Sequence, residues 1–132
     1  MKDFLQKAKK DPYGNFLGIR IDEVKKGYAV CSIVIREEML NFNGLLHGGL
    51  VFSLADFAFS VTANGDHMPS FALDISGSFL KTAAVGDNVI AKARLLHGTK
   101  RTGLYRMEIF KNRELIATFN GTVIRKLTTQ SS

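Results

Sequence analysis

Cysteine is nearly absent from this sequence of 132 residues, in which Cys31 stands alone. A disulfide within the chain is therefore excluded, and a single thiol fits a reducing compartment such as the cytoplasm. Cys31 lies in the apolar segment YAVCSIVI, where a small buried side chain on a strand is its expected role. Because no histidine is positioned beside it, Cys31 is not a candidate nucleophile.

Long apolar runs are missing as well. No stretch approaches the roughly 18 apolar residues that suggest a membrane-spanning helix. The opening residues, MKDFLQKAKKD, are charged and lack the apolar core of a secretory signal. We therefore expect a cytoplasmic protein that has no membrane partner.

Several signatures of known sites do not occur. His47, His67 and His97 are not spaced with a carboxylate or a thiol in the manner of metal ligands. There is no Gly-x-Ser-x-Gly motif for a serine nucleophile, and no long basic helix or paired aromatic and basic motif of a nucleic-acid-binding module. We expect no metal, no cofactor and no nucleic-acid partner, so the net charge of +6 favours a small phosphorylated ligand.

The pattern of apolar residues predicts an α+β domain. Residues 2–10 form a short amphipathic helix that Pro12 ends, and the segments FLGIRIDEV and GYAVCSIVI form a hairpin. A long apolar helix runs from His47 to about Asn64, with Gly65 as its C-cap. Four further strands follow, separated by short turns at AAVGDN, HGTKRTG and KNRE: FALDISGSFLK, NVIAKARLLHG, LYRMEIFK and LIATFNGTVIRK.

These elements divide the chain into three parts. A helical segment (1–15) precedes a domain of one long helix and about six antiparallel strands (16–126), and a frayed tail follows (127–132). One sheet covers only part of a helix that is apolar on nearly every side. A second copy of the chain could bury the apolar helix surface that the sheet leaves exposed, so we expect a homodimer.

Asp56 interrupts the apolar helix, and no lysine or arginine lies within one helical turn to pair with it. A carboxylate partly withdrawn from water has a raised pKa and is suited to act as a base or a nucleophile. A structural role, satisfied by a contact across a subunit interface, is equally open. Counting in threes and fours from Asp56 gives a narrow stripe of small and polar residues: Gly49, Ser53, Ser60, Ala63 and Asn64.

The helix begins at His47, Gly48 and Gly49. Glycines leave backbone N–H groups open to a ligand, and such donors at the positive end of a helix form a site for an oxyanion. If the glycines only allowed tight contact with the sheet, Asn41 and His47 beside them would have no explanation. Gly48 and Asp56 are eight residues apart, hence about 12 Å along one helix. A catalytic site that contains both therefore needs two subunits with antiparallel helices.

The segment NFNGLLHGGLVFSLADFAFSVTAN resembles the signature of the PaaI-type acyl-CoA thioesterases of the hotdog-fold superfamily. In that signature an Asn stands six residues before the His of His-Gly-Gly, and an Asp stands nine residues after it. Asn41, His47 and Asp56 occupy these positions. The resemblance continues through FLKTAAVGDNVIAKARLLHGTKRTGLYRMEIF and covers most of residues 16–125.

The resemblance implies a hotdog fold, in which a curved antiparallel sheet wraps a central helix. It also implies hydrolysis of an acyl-CoA without a metal, by a dimer or a dimer of dimers. The resemblance also implies the role of each site residue. The N–H of Gly48 polarises the thioester carbonyl, and Asp56 of the other subunit activates water or attacks directly. Asn41 positions the water or the carboxylate, and His47 orients the loop or the thioester.

The CoA part of the substrate carries negatively charged phosphates, and basic side chains on a turn can bind them. The predicted contacts are Gly49, Lys81, Lys100, Arg101 and Thr102. The sequence departs from the family at two points. Lys81-Thr82 replaces a frequent Arg-Pro pair, and Phe71-Ala72-Leu73 lacks the hydroxyl that orients the nucleophile in some relatives, for which Ser70 or Ser76 would substitute.

Two other functions remain open beside a thioesterase. A non-catalytic acyl-CoA-binding or sensing domain would use Asp56 only structurally. A hotdog hydratase or dehydratase would pair a His with a carboxylate at a different spacing. The acyl group is not specified, because Phe52, Phe57 and Phe59 suit a phenylacetyl-type or medium-chain group and equally suit a core.

Overall fold

The computed structural model describes residues 1–126, and the tail expected at 127–132 lies outside this range. No helix in the described range is both long enough and apolar enough to cross a membrane. The helices and strands are, in chain order: α1 (Lys2–Ala8), α2 (Pro12–Leu17), β1 (Arg20–Lys25), β2 (Tyr28–Val34), a 3-10 turn (Glu37–Met39), α3 (Gly48–Asp66), β3 (Ser70–Phe79), β4 (Asn88–Gly98), β5 (Thr102–Lys111) and β6 (Glu114–Arg125).

The strands form one antiparallel sheet in the order β1-β2-β4-β5-β6-β3. β4, β5 and β6 are neighbours in sequence and in space. β3 lies at the far edge beside β6, so AAVGDN is not the simple turn that we expected between β3 and β4. It belongs to a connection along the end of the sheet, where Leu80 N donates to the Ile116 carbonyl at 2.8 Å and Gly86 N to the Ile35 carbonyl at 2.9 Å.

α3 contacts all six strands, so the sheet wraps around it. Apolar side chains of the helix, including Leu54, Ala58 and Phe59, are buried against the inward-facing residues of the strands, such as Met107 and Ile109. Burial of this apolar surface is the main stabilising contribution to the fold. One long helix held in a curved antiparallel sheet is the hotdog fold, and this prediction is confirmed.

The N-terminal segment differs from the prediction. Pro12 begins α2 instead of ending the helical region, because Asp11 caps the new helix by accepting a hydrogen bond from Gly14 N at 2.8 Å. Proline is favoured at the first position of a helix, where its missing N–H has no partner to lose. Gly18, with a left-handed φ of 85°, ends α2. The first strand therefore begins at Arg20 rather than at Phe16.

The C-terminal end of α3 also differs. The helix passes through Gly65, which we expected to cap it, and ends at Asp66. The carboxylate of Asp66 fixes this last turn, since it accepts hydrogen bonds from the Tyr105 hydroxyl at 2.5 Å and from Gly27 N at 2.6 Å. These bonds tie the helix end to β5 and to the β1–β2 hairpin.

Candidate active site

Asn41 organises the loop that leads into α3. Its side-chain oxygen accepts hydrogen bonds from Asn43 N at 2.8 Å and Leu45 N at 3.1 Å. Its backbone N donates to the Leu45 carbonyl at 2.7 Å. A side-chain oxygen that accepts from the backbone two residues on forms a tight Asx turn. Asn41 thereby sets the direction from which the chain enters His47.

His47 caps the N-terminus of α3. Its Nδ1 accepts a hydrogen bond from Gly49 N at 2.8 Å, so the proton of the neutral ring is on Nε2. The His47 carbonyl accepts from Leu50 N at 3.0 Å and from Val51 N at 3.3 Å. Among the first backbone donors of the helix, Gly48 N has no acceptor within residues 1–126. The amide that the sequence proposed as an oxyanion donor is the one that the cap leaves available.

Aromatic rings lie beside this amide. A side-chain carbon built on Gly48 would be 3.5 Å from the ring of Phe79, which is ordinary van der Waals contact. Phe79 packs edge-on against Phe119, with ring centroids 5.6 Å apart, and Phe52 also packs edge-on against Phe119, at 5.8 Å. An acceptor bound to Gly48 N would therefore lie next to an apolar surface, where a hydrogen bond is stronger than in water.

Asp56 lies on the exposed stripe of α3, away from the core. Its carboxylate makes no hydrogen bond or ion pair within residues 1–126. It borders a small cavity of about 140 Å³ between α3 and β3, together with Ser60, Asn64, Ser70 and Ala72. Although the residue remains exposed, the surrounding protein removes part of the water from its carboxylate, and this desolvation raises the pKa of Asp56.

The negative charge of Asp11 is the second cause of the raised pKa of Asp56. Asp11 is part of the N-terminal segment, which lies along the stripe of α3: the Tyr13 hydroxyl is 3.3 Å from Ser53 Oγ, and Gly14 lies against the ring of Phe57. The sequence pattern did not predict a contact between this segment and the stripe of α3. An Asp-Pro pair followed by a glycine six residues after the proline is the signal of a short capped helix that would have located Asp11.

The two halves of the predicted site are at opposite ends of β3. Gly48 is beside Phe79, the last residue of the strand, and Asp56 is beside Ser70 and Ala72 at its beginning. Both belong to one continuous helix, in which eight residues span about 12 Å. A single substrate carbonyl therefore cannot touch both groups of one chain.

The predicted CoA contacts are divided in the same way. Lys81, just beyond Phe79, is ion-paired with Glu114, whose pKa it lowers by a hydrogen bond and by its charge. The turn from Lys100 to Thr102 is at the other end, because the Arg101 carbonyl accepts from Arg125 N at 2.7 Å and Arg125 pairs with Ser70 at the start of β3.

The hydroxyl of Thr99 holds this turn in shape. It accepts hydrogen bonds from Arg101 N at 3.2 Å and Thr102 N at 2.9 Å. Lys100 and Arg101 are exposed on it and make no ion pair within the described residues. Within the same range, no group of three or more His, Cys, Asp or Glu residues is placed to hold a metal ion.

Comparison with known proteins matches residues 43–117 to the Thioesterase superfamily. A putative esterase of Archaeoglobus fulgidus is 36% identical over 95% of this chain and 80% of its own length. The acyl-coenzyme A thioesterase PaaI of Escherichia coli is 35% identical over 84% of this chain and 80% of its own length. The solved structure of the E. coli PaaI protein superposes with a TM-score of 0.90 at 32% identity, covering 95% of this chain and 91% of that one.

Proposed function

The chain belongs to the thioesterase superfamily, as a PaaI-like thioester hydrolase, and from this premise we propose that it hydrolyses acyl-CoA to a free acid and CoA, with Gly48 and Asp56 as its catalytic groups. One observation carries the assignment of the groups. The described part of the chain contains an amide without an acceptor at a helix N-terminus and a carboxylate without a partner on the same helix, and thioester hydrolysis needs one of each.

The amide of Gly48 binds the carbonyl oxygen of the thioester. When water adds to the carbonyl carbon, this oxygen becomes an anion, and a fixed donor at the positive end of a helix stabilises it. His47 and Asn41 are positioning residues: His47 occupies the N–H of Gly49, and Asn41 shapes the loop before the helix. Neither needs to touch the reacting atoms for this role.

Asp56 is the general base. Its carboxylate takes a proton from a water molecule while the water oxygen attacks the carbonyl carbon. The C–S bond of the tetrahedral intermediate then breaks, and the thiolate of CoA receives the proton from Asp56. Desolvation of the carboxylate supports this role, because a base with a raised pKa accepts a proton more readily than an ordinary aspartate.

A homodimer would complete the site. Within residues 1–126, β3 is an edge strand whose one partner is β6, and its apolar side chains Phe71, Leu73 and Phe79 are 52%, 60% and 57% exposed. Such an edge is a template for pairing with a second chain. If two copies of β3 pair antiparallel about a two-fold axis, the end that carries Gly48 in one subunit meets the beginning of β3, and hence Asp56, in the other.

The same two-fold axis would gather the basic residues. It brings the partner's Lys81 to the end of the sheet that carries Lys100, Arg101 and Thr102, where these residues and the partner's Gly49 would contact CoA and its phosphates. Two aromatic side chains that do not belong to β3, those of Phe16 and Phe42, are 77% and 98% exposed. These rings offer an apolar surface on which two dimers would pair into a tetramer.

The test is a panel of acyl-CoA thioesters, assayed for release of free thiol with wild-type protein and with Asp56→Asn. Turnover by the wild type that is lost in the folded variant supports the proposal. Tight binding of acyl-CoA without release of thiol would instead favour the acyl-CoA-sensing domain. Hydrolysis that is unchanged in Asp56→Asn would remove Asp56 from the catalytic role while leaving the thioesterase activity in place.

A further inference from the structure

Arg125, the last residue of β6, links the turn at residues 100–102 to the rest of the fold. Its Nη1 donates to the Thr99 carbonyl at 2.7 Å, and its backbone N donates to the Arg101 carbonyl at 2.7 Å. The hydroxyl of Thr99 in turn accepts hydrogen bonds from Arg101 N and Thr102 N. The side chain of Arg125 therefore fixes Thr99, and Thr99 fixes the turn. None of the roles derived so far uses this side chain.

The guanidinium of Arg125 is also anchored on its other side, in the core. Nη2 donates to the Tyr105 hydroxyl at 3.2 Å, and this hydroxyl donates its own proton to Asp66 at 2.5 Å. Tyr105 is fully buried, and Asp66 also accepts from Gly27 N at 2.6 Å. Three side chains thus connect the turn to the C-terminal end of α3, the helix that carries Asp56.

Two glycines leave room for the guanidinium. Gly98 and Gly103 face each other across β4 and β5. A side-chain carbon built on Gly98 would be 3.2 Å from Nη2 of Arg125. One built on Gly103 would be 3.0 Å from the same atom and 2.8 Å from the ring of Tyr105. Larger residues at these two positions would crowd the guanidinium, so the end of the β4–β5 hairpin has the shape that holds it.

A turn that is held in place binds an anion better than a flexible turn with the same charges. A flexible turn loses conformational freedom when its basic side chains bind phosphates, and this loss weakens binding. A turn that is fixed before the substrate arrives avoids the loss. A planar guanidinium suits this task, because its donors point in fixed directions and can bind two acceptors at once.

We infer that Arg125 is a positioning residue for CoA binding, which holds the turn at residues 100–102 in the conformation in which Lys100 and Arg101 contact the CoA phosphates. The inference rests on the proposed thioesterase function, and it assigns Arg125 no contact with the substrate. Arg125 acts through Thr99, so its replacement should weaken binding of the CoA nucleotide and leave the reaction at the thioester unchanged.

Arg125→Gln tests this inference, with Arg106→Gln as the matched control. Arg106 is half-buried like Arg125, and its Nε donates to Asn120 at 3.1 Å, so its replacement removes the same charge without altering the contacts of the turn. KM and kcat are measured with an acyl-CoA and with the N-acetylcysteamine thioester of the same acyl group, which lacks the nucleotide. We expect Arg125→Gln to raise KM for acyl-CoA about fivefold, the scale of ordering two side chains on binding. It should leave kcat and the kinetics of the short thioester unchanged, and Arg106→Gln should change neither KM.

A double-mutant cycle separates positioning from direct contact. When Lys100 and Arg101 are both replaced by Ala, the turn has no charge left to position, so adding Arg125→Gln should raise KM no further. If Arg125 itself binds phosphate, its replacement would raise KM as much in this background as in the wild type, and the inference would be overturned. A parallel loss of activity on the short thioester would show that Arg125 only stabilises the fold, which would also overturn it.

Arg125→Lys covers the case in which the glutamine variant fails to fold. It keeps the positive charge and an aliphatic stem, but an ammonium group lacks the two fixed donor directions of the guanidinium. Its KM for acyl-CoA should still rise, and a wild-type KM in the folded lysine variant would overturn the inference. Calorimetric titration with CoA gives the Kd of each variant independently of turnover. A wild type that binds CoA and cleaves no acyl-CoA would overturn the proposed function, and these Kd values would then decide whether Arg125 positions the turn.

Discussion

The Nδ1 atom of His47 accepts a hydrogen bond from the N–H of Gly49 at 2.8 Å, so this amide at the N-terminus of α3 is already occupied. A histidine at the cap satisfies the second N–H of α3, and its own carbonyl satisfies the next two. Only the first amide, that of Gly48, remains. In the proposed site, the cap would therefore determine which amide can serve as the oxyanion donor, in addition to stabilising the helix.

Gly48→Pro should abolish most of the activity while keeping the helix. Proline removes the N–H, and it is well tolerated at the first position of a helix. His47 has φ −66° and ψ 129°, the extended conformation that a residue before proline prefers. Loss of an oxyanion donor lowers kcat on the order of 10²–10³-fold. Steady-state kinetics and circular dichroism of the variant measure the two effects.

Gly48→Ala is the matched control, because it adds a side chain and keeps the N–H. The new carbon would meet Phe79 at 3.5 Å, so the fold should tolerate it. Its kcat should fall less than that of the proline variant. Equal losses in the two variants would show that crowding near Gly48, rather than the donor, controls turnover.

Asp56→Asn should lower kcat by about 10²–10⁴-fold, the contribution of a positioned base. Its effect on stability has a definite sign. Because the folded pKa of Asp56 is raised, the folded state holds its proton more tightly, and the wild type loses stability as pH rises through the interval between the unfolded and folded values. The variant should melt no lower than the wild type at pH 7–8, and the difference should vanish below about pH 3.9. A clearly lower melting temperature at neutral pH would indicate that the ionised carboxylate stabilises the fold.

Asp11→Asn should move the acidic limb of the profile of kcat/KM against pH to lower pH. Asp11 raises the pKa of Asp56 by its charge, so removing the charge lowers that pKa and keeps the base ionised in more acidic solution. Asparagine is as good an N-cap as aspartate, so α2 should persist. Asp3→Asn removes the same charge from α1 and should not shift the limb. An unshifted limb in Asp11→Asn would mean that Asp11 is screened from the site in the assembled enzyme.

Replacing Lys100 and Arg101 together by Glu should raise KM for acyl-CoA and leave kcat nearly unchanged, because the turn that carries them would contact CoA rather than the reacting bond. The effect should weaken at high salt, as expected for exposed charges. Short thioesters without the nucleotide serve as controls, since they should show no change. A constant KM would place the CoA phosphates elsewhere.

The local geometry of the proposed donor half of the site could be predicted because Asn41, His47, Gly48 and Gly49 are close in the chain, where local rules of turns and helix ends apply. The position of Asp56 could be predicted for a related reason, because helical periodicity alone places this residue on the exposed stripe of α3. The alternation of the strands and the length of one apolar helix predicted an α+β domain, and the resemblance to the PaaI-type thioesterases implied the hotdog fold.

The remaining features depend on contacts between residues far apart in sequence. Tyr13 reaches Ser53, 40 positions away, and Lys81 pairs with Glu114, 33 positions away. The periodicity of apolar residues within a helix or strand cannot predict such long-range pairs. The error at Pro12 had a different cause, since proline is found both after the end of a helix and at its first turn. The hydrogen bond from Gly14 N to Asp11 decides between these roles.

The proposal that two subunits share each active site makes the most demanding prediction. Gly48 and Asp56 of one chain are at opposite ends of β3, so each site would take one group from each subunit. Gly48→Pro and Asp56→Asn are expected to be inactive for different reasons. When they are unfolded together and refolded, a mixed dimer has one site with both defects and one with neither. Each mixed dimer should recover about half the wild-type activity, and random pairing makes about half of all dimers mixed, so about a quarter of the activity should return. Refolding each variant alone gives the baseline. A mixture that stays at this baseline, with mixed dimers demonstrated by native mass spectrometry, would exclude a site built from two subunits and would require both groups to act within one chain, against the separation of about 12 Å that the helix imposes.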